Sequence, residues 1–228
     1  SNLIRIKTDN NGSMDIQNLR NTIDKCFIDN KKIFAIVATL GTTVRGAIDP
    51  IKEISEICKE RNIWLHVDGS IGGIFAVTSI PIKGLNNINQ ANSITINPQK
   101  IIGITKTSSL LLVSEMSTLE NTFSTGLPYL SSKEDILNRG EIGIQGSRPA
   151  EVIKLWLGLR FLGLKGIEDI LKSSIKRKDF FIKNISKNKY EIFSGPLHIV
   201  SFLPKGIAPK DTDSWTKTKV NELMNNNF

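Results

Sequence analysis

Cysteine, aromatic residues and long apolar runs are all scarce in these 228 residues, and each shortage excludes something. The two cysteines, Cys26 and Cys58, have no spacing that builds a disulfide framework or a metal-ligand set. Each lies inside an apolar helical pattern, so both read as buried thiols in a reducing compartment. No apolar run approaches the roughly 18–20 residues of a membrane-spanning helix. The first residues lack the layout of a secretory signal, which makes the cytoplasm the default location. Internal repeats are absent. The aromatics, at 7%, form no ladder, and no zinc-finger spacing occurs, so the net charge of +8 does not indicate a nucleic-acid partner. The densest basic cluster (Lys172, Lys176, Arg177 and Lys178) falls on one helical pattern and reads as a solvated helix face.

What the chain does have is an alternation of apolar strands and amphipathic helices. With 39% apolar and 23% charged residues it is globular in make-up, and long enough for one domain and part of another. N-G-S-M-D at 11–15 reads as a turn, with Asp15 capping a helix to about Cys26. Residues 33–39 (I-F-A-I-V-A-T) suit a strand buried on both faces of a parallel sheet. A turn-rich loop follows. Asp49 and then Pro50 predict the next helix, Asp49 as N-cap oxygen and Pro50 where a missing N–H costs nothing. Short strands are expected at 64–67, 93–97 and 108–113, and strands separated by helices or crossovers imply a βαβ sheet. From about Thr122 to Ile144 the pattern gives way to a polar stretch, long enough to be a functional or mobile loop. Beyond Pro149 come a helix carrying Val152, Trp156 and Leu159 on one face and a second over about 167–184. Strands at 190–193 and 198–202 and a helix near 214–224 complete what reads as the start of a smaller α+β unit.

Thr43, Asp68 and Lys100 all fall at C-terminal strand ends, where ligands collect in such sheets. Asp68 sits in W-L-H-V-D-G-S (64–70) and Lys100 closes I-N-P-Q-K (96–100). A lysine and a carboxylate are the two protein groups that pyridoxal phosphate requires. The lysine carries its aldehyde as a Schiff base, and the carboxylate keeps the pyridine nitrogen protonated. A positive ring nitrogen and a carboxylate each favour the charged state of the other. The plainer readings are a surface lysine and an aspartate capping the next turn. His66, inside the strand, reads equally as a satisfied core histidine and as a group behind the cofactor.

Four motifs in combination carry a resemblance: T-L-G-T-T-V-R-G-A-I-D-P (39–50), H-V-D-G-S-I-G-G (66–73), I-N-P-Q-K (96–100) and R-P-A-E-V-I-K-L-W (148–156). They resemble the group II pyridoxal-phosphate decarboxylases, relatives of aromatic-amino-acid, glutamate, histidine and diaminobutyrate decarboxylases, over nearly the whole chain. The resemblance implies an α/β protein of the fold type I of pyridoxal-phosphate-dependent transferases. Residues 1–145 would be the C-terminal part of the cofactor-binding large domain, with a mainly parallel sheet and the active-site loop. Residues 146–228 would be connecting helices and a partial small α+β domain. The chain would then be a fragment, shortened at both ends.

The activity implied is decarboxylation of an L-amino acid to the amine and carbon dioxide. Pyridoxal 5′-phosphate would be the cofactor, with no metal, in a homodimer with a shared active site. By position, Lys100 matches the Schiff-base lysine, Asp68 the carboxylate on the pyridine nitrogen and Thr43 a hydroxyl close to the cofactor. Asn97 matches a phosphate donor and Ser70 a small residue packed on the ring. Tyr129, in L-P-Y-L, matches a loop tyrosine that returns a proton to Cα in the partner's site. Arg148 matches an arginine of the active-site wall, and Ser147 a position that varies with substrate. Gln99 stands where many members carry histidine; it can donate to phosphate or substrate but exchanges no proton near neutrality. Two alternatives stay open at this level. One is another fold-type-I enzyme, an aminotransferase or carbon–carbon lyase; the other is a non-catalytic paralogue acting through its dimer surface.

Overall fold

Asp15 starts the first helix as its sequence predicts. The computed structural model, which describes residues 3–105, 109–126, 139–147 and 149–226, places α1 at Ile16–Ile28, with the Asp15 carboxylate accepting the Asn18 N–H at 2.9 Å. Leu19, Ile23 and Cys26 recur at helical spacing and form its buried face. Strand β1 (Ala35–Thr39), helix α2 (Ile51–Arg61) and strand β2 (Trp64–Asp68) follow as a βαβ unit. Asn62 ends α2 in the left-handed conformation (φ 51°), and its N–H returns to the Cys58 and Lys59 carbonyls.

The start of α2 corrects one expectation. Pro50 takes the cap position without a side-chain bond. The Asp49 carboxylate instead accepts the N–H groups of Met14 and Thr39, each at 2.7 Å. Asp49 is buried, and two interior donors need an acceptor more than a helix end does. Burial pushes its carboxyl above the usual value, and the two N–H bonds pull the other way.

Strand β3 (Ser93–Ile96) pairs parallel with β2, and β4 (Leu110–Val113) antiparallel with β3, giving the order β1-β2-β3-β4. Thr39, Asp68 and Thr95 are register partners across the three parallel strands. One sheet face carries Ile36, Ala38, Leu65, Val67 and Ile96, all buried in the core formed with α1, α2 and the 3-10 turn Gly73–Val77. The other face carries Val37, Trp64, His66 and Thr95 and is largely open, with Val37 54% exposed. Strand β1 is therefore not buried on both faces: among the described residues nothing packs over Val37.

Past β4 lies a helix that sequence pattern did not reveal, α3 (Met116–Phe123). Then α4 (Val152–Asn184) runs as two helical pieces joined at Gly163, whose φ of 60° only glycine adopts readily. The expected pair of helices is thus present, divided at Gly163. Leu155, Ile167 and Leu171 pack into the core. Strands β5 (Tyr190–Ser194) and β6 (Val200–Pro204) form a separate antiparallel pair, followed by α5 (Thr212–Asn225). Phe181, Tyr190, Phe202 and Trp215 hold α4, the hairpin and α5 together, with ring centroids 5.3–6.5 Å apart. The basic cluster lies on α4 as expected, with one correction. The Lys178 side chain is only 9% exposed, and its Nζ donates to the Gly195 carbonyl at 3.2 Å.

Candidate active site at the C-terminal edge of the sheet

Parallel pairing brings the ends of β1, β2 and β3 to one edge, with adjacent strands about 4.8 Å apart. The loop leaving β1 folds back on that edge. Leu40 N–H donates to the Asp68 carbonyl at 2.8 Å, and Gly72 N–H to the Leu40 carbonyl at 2.9 Å. Inside the loop, the Gly41 and Thr42 N–H groups share the Ala47 carbonyl, and the Thr42 hydroxyl accepts the Ala47 N–H at 3.0 Å. Thr42 is thereby committed to the turn. The neighbouring Thr43 is exposed, and its hydroxyl makes no hydrogen bond among the described residues.

Asp68 is the last residue of β2 and half-buried. Its Oδ1 accepts the Ser70 N–H at 3.0 Å, and among the described residues no cation pairs with it. Alternation along β2 puts Asp68, His66 and Trp64 on the open face, together with Thr95 of β3. Asn97 follows β3 and caps the 3-10 turn Pro98–Lys100. Lys100 ends that turn, exposed, its N–H on the Asn97 carbonyl at 3.1 Å and its amine in no ion pair among the described residues. Asn97 Oδ1 and Gln99 Oε1 are both buried with no partner among the described residues. Orphaned buried polar atoms are rare, and two in the three residues before a lysine mark a place prepared for a polar ligand. An amide turned by 180° presents NH2 instead of oxygen, so both side chains suit an anion. A free primary amine, an uncommitted carboxylate and two anion-ready amides fit a phosphorylated aldehyde with a basic ring nitrogen.

His66 lies on the open face, half-buried, not in the core. Its Nδ1 bonds Ser93 Oγ at 2.8 Å and its Nε2 lies 3.3 Å from Thr95 Oγ1, so both ring nitrogens are used within the sheet. Ser147 is exposed ahead of α4. Tyr129 and Arg148 lie outside the described residues. Glu141 gave no signal in the sequence. Its carboxylate accepts Ser124 Oγ at 2.8 Å, Thr125 N–H at 2.7 Å and Thr125 Oγ1 at 2.8 Å, which hold it below the usual carboxylate range. A cleft of about 990 Å³ is lined by residues such as Asp15, Arg45 and Phe193 and includes none of Asp68, Asn97 or Lys100. Strand-edge chemistry, not cavity size, locates the candidate site.

Known proteins resemble the chain in both sequence and fold. Residues 1–202 match the family model described as the pyridoxal-dependent decarboxylase conserved domain. The acidic amino acid decarboxylase GADL1 of Mus musculus is 31% identical over 194 residues, spanning 82% of this chain and 35% of its own length. The crystal structure of mouse CSAD in apo form superposes with a TM-score of 0.77 at 26% identity, over 90% of this chain and 45% of that one. Tryptophan decarboxylase of Catharanthus roseus, solved in complex with L-tryptophan, has a TM-score of 0.82 at 24% identity over 97% of this chain and 48% of its own, and shares the fold. The chain thus spans between a third and a half of the length of these relatives. Together these matches make the architecture that of fold type I.

Proposed function

The chain belongs to the pyridoxal-dependent decarboxylase family, and on that premise we propose that its protein converts an L-amino acid to the amine and carbon dioxide. The observation that carries the reading is that Asp68 and Lys100 lie at one sheet edge with Asn97 and Gln99, whose buried amide oxygens have no partner among the described residues. Pyridoxal 5′-phosphate, when bound, supplies the electron sink that takes up charge left at Cα.

The chain's own residues divide the remaining work. Lys100 offers the primary amine that an aldehyde captures. Asp68, oriented by the Ser70 N–H, holds a proton on the ring nitrogen, since a carboxylate beside that nitrogen favours its charged form. Asn97 and Gln99 direct amide N–H groups at the phosphate, Thr43 adds a hydroxyl, and Ser70 leaves room for the ring. Tyr129 is assigned the return of a proton to Cα. Arg148, with Ser147 beside it in sequence, suits a substrate carboxylate.

Residues 1–145 serve as part of the cofactor domain and 146–228 as connecting helices and part of a small domain. The protein acts as a homodimer with a shared site. Val152, Trp156, Phe161 and Leu164 of α4 are each more than half exposed, which suits cover by a second subunit. Two buried, unpaired thiols suit a reducing cytoplasm.

The test is carbon dioxide release from carboxyl-labelled L-amino acids by the whole protein with added cofactor. Wild type should release carbon dioxide and the amine, and Lys100→Ala should lose this by about a thousandfold or more. A keto acid in place of the amine, or release that survives Lys100→Ala, would overturn the reading.

A further inference from the structure

The loop that carries Thr43 is held from two sides. The sheet holds one side, through Leu40 and Asp49. The connection between β5 and β6 holds the other. Gly195 N–H donates to the Arg45 carbonyl at 2.6 Å, and the Ser201 hydroxyl donates to the Val44 carbonyl. The Arg45 guanidinium lies 4.3 Å above the Phe193 ring, and fully buried Leu197 fills the space beside Gly41. The backbones touch so closely that a Cβ at position 195 would lie 2.2 Å from the Gly46 oxygen.

The Gly195 carbonyl, which also accepts the Ser194 hydroxyl at 3.3 Å, ties the connection to α4 by accepting from Lys178 Nζ. The nearest carboxylate to this lysine, Asp179, is 3.8 Å away and its side chain is 65% exposed. An ammonium is seldom so fully covered without a close counter-ion, because its desolvation is unfavourable and an apolar chain of the same length would pack without that loss. None of the proposed chemistry uses this charge. Its one hydrogen bond among the described residues is with the residue that bonds the Thr43 loop.

We propose that Lys178 is a positioning residue: through Gly195 it presses the Thr43 loop onto the end of β1, and so sets how firmly the protein holds its cofactor. The consequence for cofactor rests on the reading of Thr43 as its neighbour; the positioning does not. The α4 helix thereby acts on a cofactor loop that precedes it by more than a hundred residues in sequence.

Amide exchange of the cofactor-free whole protein tests the positioning directly. In Lys178→Met, the amides of Gly41, Thr42, Gly46 and Ala47 should exchange about tenfold faster while those of β2 stay unchanged. The Kd for pyridoxal phosphate should rise severalfold. Lys178→Arg keeps a donor for the Gly195 carbonyl and should restore both readouts to within about twofold of wild type. Unchanged loop exchange in Lys178→Met, equal acceleration throughout the sheet, or no rescue by arginine would each overturn the proposal. A loosened loop with unaltered cofactor Kd would overturn its second half if Thr43→Val weakens binding. If Thr43→Val leaves binding unaltered, the Thr43 reading fails and the exchange result still decides the positioning.

Discussion

The two faces of the central sheet are built from the same three parallel strands and differ in almost everything else. One is closed: Ile36, Ala38, Leu65 and Val67 are buried under α2 and its neighbours. The other is open, with Val37, Trp64, His66 and Thr95 only partly covered and Asp68 at its edge. Parallel sheets normally bury both faces. The closed face holds this half of the fold together, whereas the open face presents the chemistry. A residue on the first is expected to matter for stability, and one on the second for ligand or for whatever else covers it.

The sharpest way to break this contrast is Leu65→Ala. Leu65 is 1% exposed in the middle of β2, and emptying such a site costs about 2–5 kcal/mol. Denaturant unfolding should show that loss, and a change below about 1 kcal/mol would mean the closed face is not the stabilising one. A smaller effect should come from pH. His198 stacks on Phe75 of the closed core at 6.3 Å between centroids. Burial first, and then the charges of Lys178 and Arg177, hold its imidazole below the ordinary value of 6.5. The folded protein therefore takes up this proton less readily than the unfolded chain. The stability tied to neutral His198 is complete above 6.5 and is lost as pH falls from there through the lowered folded value. Unfolding followed across that window should show stability falling with acid, and His198→Phe should flatten the slope. The smallest effect is expected on the open face: Val37→Thr should change stability by no more than about 0.5 kcal/mol. A loss above about 1 kcal/mol in the whole protein would show that another segment or subunit covers Val37 there.

Much of the site was legible without coordinates because its residues are strand-end residues. An apolar run announces a strand, its last polar residue announces the end, and parallel topology gathers such ends on one edge. Asp68 and Lys100 were found this way: Asp68 ends β2, and Lys100 closes the turn that follows β3. The caps and breaks were legible to a lesser degree. Asp15 caps α1 as its pattern indicates, because capping is settled within four residues. Asp49 looks like the same signal and behaves differently, because Met14 and Thr39 reach it from other parts of the chain. The three donors on Glu141 gave no local sign either.

Lys178 shows the same division most clearly. From its neighbours it is one of four cations on a helix, and local pattern puts such a cluster in water. Only the arrival of the β5–β6 connection covers it and turns its ammonium toward Gly195. The sequence by itself determined the element order, the strand-end chemistry and the family, because periodicity, capping residues and short motifs act over a few neighbours. The tertiary structure alone decided which sheet face is closed, which carboxylate serves the interior and which lysine is buried. Those outcomes depend on segments tens to more than a hundred residues apart meeting in space, and on the desolvation and hydrogen bonding that begin only when they meet.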